Sequence, residues 1–123
     1  MSPNSQTPYL IDASSKRLGR VATDAARVLM GKNTARYERH RINGQRVRIE
    51  QAAALQIDAR KKKHTIYSRH SGYPGSLKRE TLAALVTKRG QQGGYREALR
   101  RAIYGMLPKN KLRPRMMKRL EIV

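Results

Sequence analysis

The sequence predicts an α/β or α+β domain, on three observations. A brief apolar run, Tyr9-Leu10-Ile11, is followed directly by an amphipathic helical pattern, then by several short strand-like runs, then by a second block of helical pattern. At 123 residues the chain is one domain by length. Its core is lean: hydrophobic residues make up 38%, with no Phe or Trp, so Leu, Ile, Val, Ala and six tyrosines must fill it. We divide it into a flexible tail over residues 1–8, kept irregular by Pro3 and Pro8, and a single domain over 9–123 that ends in a basic arm over 106–119.

Tyr9-Leu10-Ile11 is too short for a helix and reads as a buried strand closed by Asp12. Ser14 or Ser15 is placed to cap the helix that follows, whose inner face carries Leu18, Val21, Ala22, Ala25, Val28 and Leu29 and whose end is marked by Gly31. On its outer face Asp24 and Arg27 are spaced to pair. Asn43-Gly44 marks a turn, and Arg46-Val47-Arg48-Ile49-Glu50 alternates as a half-buried strand does, with one wet side. Leu55-Gln56-Ile57 and Thr65-Ile66-Tyr67 are two further possible strands, and Ser68 to Ser76 is a loop. A helix from Leu77 to about Arg89 is stopped by Gly90, Gly93-Gly94 makes a second break, and a last helix runs from about Tyr95 to Tyr104 with Arg96 and Arg100 outward.

Charge narrows the function. Lys and Arg number 28 against 8 Asp and Glu, a formal +20 that destabilises a free compact domain and calls for a polyanion. Nucleic acid is the first candidate; an anionic membrane would want a helix with bulky apolar residues on one face, which the chain lacks. With no cysteine there is no disulfide framework or zinc knuckle. The absence of a signal-peptide pattern or membrane-spanning run leads us to expect a cytoplasmic protein.

Catalytic motifs fail on inspection. Gly31-Lys32 is no phosphate loop, because Ala26 stands where the first Gly belongs, Asn33 where Ser or Thr belongs, and the pair ends a helix instead of starting one. His40, His64 and His70 are unclustered and the eight carboxylates are scattered, so we expect no metal, no cofactor and no enzyme activity.

Three basic segments remain, each in or beside turn-rich sequence and each read as lacking compensating acid. The first supplies Arg36, Arg39, His40 and Arg41, with Lys32 just before it. The second supplies Arg60, Lys61, Lys62 and Lys63, then Arg69, His70, Tyr73 and Lys78. The third, the arm, supplies Lys109, Lys111, Arg113, Arg115, Lys118 and Arg119. Arginine forks grip phosphates, lysines act as point charges, and Tyr67 or Tyr73 is available to stack on a base. No sequence-reading module is present, so recognition of RNA shape and backbone is expected.

The residues also carry a family likeness. Asp12-Ala13, Leu18-Gly19-Arg20-Val21-Ala22, Ala25 and Gly31-Lys32, then His70-Ser71-Gly72-Tyr73-Pro74-Gly75 with Leu77-Lys78, then Gly105-Met106-Leu107-Pro108-Lys109 with Arg115-Met116 and Lys118-Arg119-Leu120, resemble the bacterial large-subunit ribosomal protein numbered thirteen in the universal naming. The likeness runs from about Tyr9 to Val123, with departures at Gln45, Gln51, Asp58-Ala59, Ser76 and Gln91-Gln92. It implies a three-layer α/β/α domain with a small, mostly parallel four-stranded sheet. It also implies a structural constituent of the large ribosomal subunit that binds and helps fold its rRNA beside neighbouring ribosomal proteins, in a cytoplasmic or organellar ribosome. The competing readings are a DNA-compacting architectural protein, which would want dimerisation and wedge residues, and a nucleotide-processing enzyme.

Overall fold

The computed structural model describes residues 7–35, 37–42 and 44–123; most of the expected tail, Arg36, and Asn43 of the expected turn lie outside them. Three strands form a parallel sheet: β1 (Tyr9–Asp12), β2 (Val47–Glu50) and β5 (Leu120–Ile122), in the order β1-β2-β5. Register pairs Ile11 with Ile49 and Ile49 with Ile122, so one row of isoleucines crosses the inner face. The last strand was not foreseen, because Leu120-Glu121-Ile122 is short and adjoins the basic arm.

Between β1 and β2 runs α1 (Leu18–Met30). Its apolar arc is buried as its spacing requires, with Leu18, Val21, Ala22, Ala25, Ala26, Val28 and Leu29 all in the core. Gly31, at φ 81°, closes it in a left-handed cap: its N–H reaches the Val28 carbonyl and the Lys32 N–H that of Arg27, each at 3.1 Å. The start differs from expectation. Arg17 is the N-cap residue and makes no side-chain cap bond, since Asp12 Oδ1 takes the Ser14 N–H at 2.9 Å and Ser15 turns at φ 58°. Nor do Asp24 and Arg27 pair, two exposed side chains gaining too little to be held together.

After a 3-10 turn at Ala52–Ala54, Leu55-Gln56-Ile57 makes a single parallel bridge, Gln56 to Arg17, where a fourth strand was expected. The chain has already turned away at Ser15, leaving only the Lys16 carbonyl for the Gln56 N–H, at 2.9 Å. The remaining strands, β3 (Ile66–Arg69) and β4 (Lys78–Thr81), form a separate antiparallel hairpin. Ahead of them Ala59–His64, to which the sequence reading assigned no element, is the short helix α2.

Helix α3 (Leu82–Met106) replaces the helix expected from Leu77. Residues 78–81 are drawn into the hairpin, and Thr81 then caps α3 by accepting the Ala84 N–H at 3.2 Å. The expected stop at Gly90 is a kink, at φ 80° and ψ 166°. Gly93-Gly94 is helical instead of a break: a Cβ on Gly94 would lie 2.7 Å from Val86 Cα, so the absent side chain lets the two halves of α3 close on each other. Last comes α4 (Arg113–Met117), started by Pro114 in its first turn, within the basic arm.

Both crossovers, β1 to β2 and β2 to β5, step the same way across the sheet, so right-handed connections put α1 and α3 on one face. Those helices pack on each other, and Val47, Ile49, Leu82, Leu85, Leu99 and Ile103 are buried beneath and between them. The opposite face is open. Leu10 is 61% exposed, Asp12 and Glu121 are exposed, and Arg48 lies 3.5 Å from Glu50 there. The wet side foreseen for β2 is therefore present, and the expected three layers are two among the described residues: a sheet that never reverses direction covers only one of its faces.

Candidate nucleic-acid interface

The β3–β4 hairpin carries the later part of the second basic segment, Arg69 to Lys78, to its tip. Arg69 and Lys78 stand directly opposite each other in its register, an arrangement of like charges that costs stability unless an anion lies between them. Beyond them the loop braces itself. Gly72 N–H donates to His70 Nδ1 at 2.9 Å, Ser76 Oγ donates to the Tyr73 carbonyl at 2.6 Å, and Gly72 and Gly75 supply φ values of 95° and 76°. This holds Tyr73 outward, 75% exposed, among the exposed Arg69, His70 and Lys78. Tyr67 lies lower in the hairpin, half-buried under the Arg101 guanidinium at 4.4 Å. Burial pushes its phenol above the ordinary value; Arg101 opposes the rise and Glu97 adds to it.

Helix α2 gathers Arg60, Lys61, Lys62 and Lys63 on little more than one turn. Lys62 is drawn inward over the ring of Tyr95, at 5.2 Å, while Arg60, Lys61 and Lys63 stay exposed. Concentrating these charges at the helix C-terminus is favourable, because the backbone dipole is negative there.

The arm is anchored instead of hanging free. Leu107, Met116 and Met117 are buried in the core, whereas Met106 is 43% exposed. Arg113 lies over the Tyr104 ring at 3.8 Å and donates through Nη2 to its hydroxyl at 2.8 Å. Arg119 donates through Nη1 to the Gly44 carbonyl at 2.7 Å, tying the arm to the turn before β2. Lys109, Lys111, Arg115 and Lys118 are exposed. The six arm cations thus divide into two that are held against the body and four that face out.

The first segment departs most from expectation. Glu38 lies inside it and pairs with Arg41 Nε at 3.2 Å and His40 Nε2 at 3.4 Å, so its charge is partly compensated. Arg39 is exposed, Lys32 approaches the Tyr37 ring at 5.7 Å, and Arg36 lies outside the described residues.

Sequence reasoning passed over α3. Arg101 Nε donates to Glu97 Oε1 at 3.0 Å, Arg89 Nη1 reaches Glu97 Oε2 at 3.7 Å, and Arg96 and Arg100 accompany them. The signal was the spacing of residues 96 and 100, four apart and therefore on one helix face.

The comparisons with known proteins come down on one side. The family model described as "Ribosomal protein L13" matches residues 6–123. A protein of Geobacter sp. (strain M21) named "Large ribosomal subunit protein uL13" is 41% identical over 114 residues, which are 93% of this chain and 77% of that protein. Proteins of the same name from Rubrobacter xylanophilus and Trichormus variabilis are 38% and 39% identical, again over 93% of this chain and over 76% and 72% of their own lengths. The match extends from β1 to β5 and takes in both the hairpin loop and the arm, so the chain belongs to the ribosomal protein L13 family.

Proposed function

We propose that the chain is a structural, non-enzymatic component of the large ribosomal subunit, acting in the ribosome within the cytoplasm or an organelle. It binds large-subunit rRNA, helps it fold, and lies among other ribosomal proteins. Residues 9–123 act as one RNA-binding unit, in which the hairpin loop, α2 and the outward cations of the arm contact phosphates. The observation that carries this reading, beside family membership, is the Arg69–Lys78 pair: two cations face each other at the base of a braced loop with no carboxylate between them. An unliganded hairpin gains nothing from that placement, and a phosphate between them turns it into a contact.

Sedimentation of tagged protein through a lysate gradient should place it in the large-subunit peak; its absence from that peak refutes the assignment. With folded rRNA in vitro, replacing the outward Lys109, Lys111 and Arg115 together by Ala should make the log–log salt dependence shallower by about 2 to 3, at roughly 0.7 to 0.9 for each phosphate no longer neutralised. An unchanged slope would remove the arm from the interface. Duplex DNA competing as well as rRNA at matched salt would favour the DNA-compacting alternative.

A further inference from the structure

The basic face of α3 fronts a groove whose far wall is α4 and β5. One section, about 320 Å³, lies between Arg96 and the apolar side chains of Met117 and Ile122. A second, about 490 Å³, runs past Arg100 to Tyr104 and Lys118, and the two sections share Glu97, Arg100 and Met117. Glu97 is the one carboxylate lining either section, and both its oxygens are engaged, by Arg101 and Arg89. Arg96 and Arg100 have no ion-pair partner among the described residues, and Arg96 Nε has neither solvent contact nor a hydrogen-bond acceptor. A guanidinium that lines a groove without an acid partner is a ready ligand for an anionic oxygen there.

We propose that this groove seats the sugar-phosphate backbone of a single RNA strand, with Arg96 and Arg100 as phosphate ligands. The inference rests on the RNA-binding reading above and adds a surface to it. Three features favour an extended strand over a small anion. Arg96 and Arg100 are four residues apart, about 6 Å along the helix axis, comparable to the distance between neighbouring phosphates of one strand. The groove is open along its length, with an apolar side fit for the sugars. It also ends at Lys118, which places it in line with the outward cations of the arm.

The test compares three variants on the same folded rRNA. Arg96→Gln with Arg100→Gln should make the salt dependence shallower by about 1.4 to 1.8, as expected when two phosphates go without their cations. Arg20→Gln with Arg27→Gln removes the same charge from the exposed face of α1 and should leave it unchanged. Arg96→Lys with Arg100→Lys, which keeps the charge, should restore most of the slope, and circular dichroism checks that each variant is folded. Equal slopes for the groove and α1 variants overturn the groove while leaving the RNA reading intact, provided the arm variant still lowers the slope. If the arm variant has no effect either, the RNA reading itself fails. Poly-glutamate binding that is lost in Arg96→Gln with Arg100→Gln, while single-stranded RNA binding is unchanged by the same substitutions, would overturn the proposal in favour of an acidic protein segment.

Discussion

The hairpin and the arm look alike in sequence, both cationic, both broken by Gly or Pro, yet the fold holds them in opposite ways. The arm is fastened at four places: Leu107, Met116 and Met117 in the core, Arg113 on Tyr104, Arg119 on the Gly44 carbonyl, and β5 following at once in the sheet. The hairpin loop is braced only by itself, through His70, Ser71, Tyr73 and Ser76, and buries none of its side chains. Cations of equal charge therefore have different uses. On the arm two of them, Arg113 and Arg119, are tied to stability, whereas at the hairpin tip they are free to serve binding alone.

The comparison breaks most readily at Met116. Met116→Ala should cost about 2 to 5 kcal/mol in denaturant unfolding, as truncation of a fully buried thioether does. A loss below about 0.5 kcal/mol would mean that the arm is not anchored where its packing places it. Gly94→Ala should follow, at about 1 to 3 kcal/mol, because the new Cβ meets backbone 2.7 Å away at Val86 and α3 must open. Gly93→Ala meets only Arg89 Cβ, at 3.3 Å, and should be close to neutral; matched costs at the two glycines would argue against the close approach.

Smaller effects sharpen the contrast. Tyr104→Leu removes the platform under Arg113 and should cost about 0.5 to 1 kcal/mol, and Arg113→Ala added to it should cost little more. In the hairpin, Arg69→Ala, Tyr73→Ala and Lys78→Ala combined should leave unfolding free energy within about 0.5 kcal/mol, or raise it by relieving the Arg69–Lys78 repulsion, while weakening binding to rRNA. A large stability loss there would erase the distinction between the two regions.

What the sequence disclosed follows the range of the forces involved. Helix α1, its Gly31 cap and the alternation of β2 were legible because they depend on residues close in the chain. Residues 78–81 were misplaced because Lys-Arg-Glu-Thr has no apolar periodicity and becomes strand only by pairing with Ile66–Arg69. Gly93-Gly94 was misread because a glycine that permits close packing is spelled like one that ends a helix. Among the candidate phosphate ligands, the identity of the cations was visible, but most of their partners were not. Arg113 lying on Tyr104 and Arg119 reaching Gly44 depend on how the chain folds back, whereas Glu38, only three residues from Arg41, was within reach of a sequence reading and was passed over.

Tyr67, at the root of the hairpin, offers the finest test of where the free region stops. Its phenol is raised chiefly by burial, so the folded state prefers it neutral. By linkage, a group whose folded-state pKa lies above its unfolded value contributes stability that is complete below the unfolded value, here 10.0, and that is lost as pH rises through the folded one. Stability should therefore fall above about pH 10 more steeply in the parent than in Tyr67→Phe, which keeps the ring under Arg101 and has no proton to lose. Ultraviolet titration of the parent should show a late tyrosine ionisation that is diminished in Tyr67→Phe. A titration curve whose late part is unchanged by the substitution would mean that the hairpin is free down to its root, and that Arg101 does not hold it against α3.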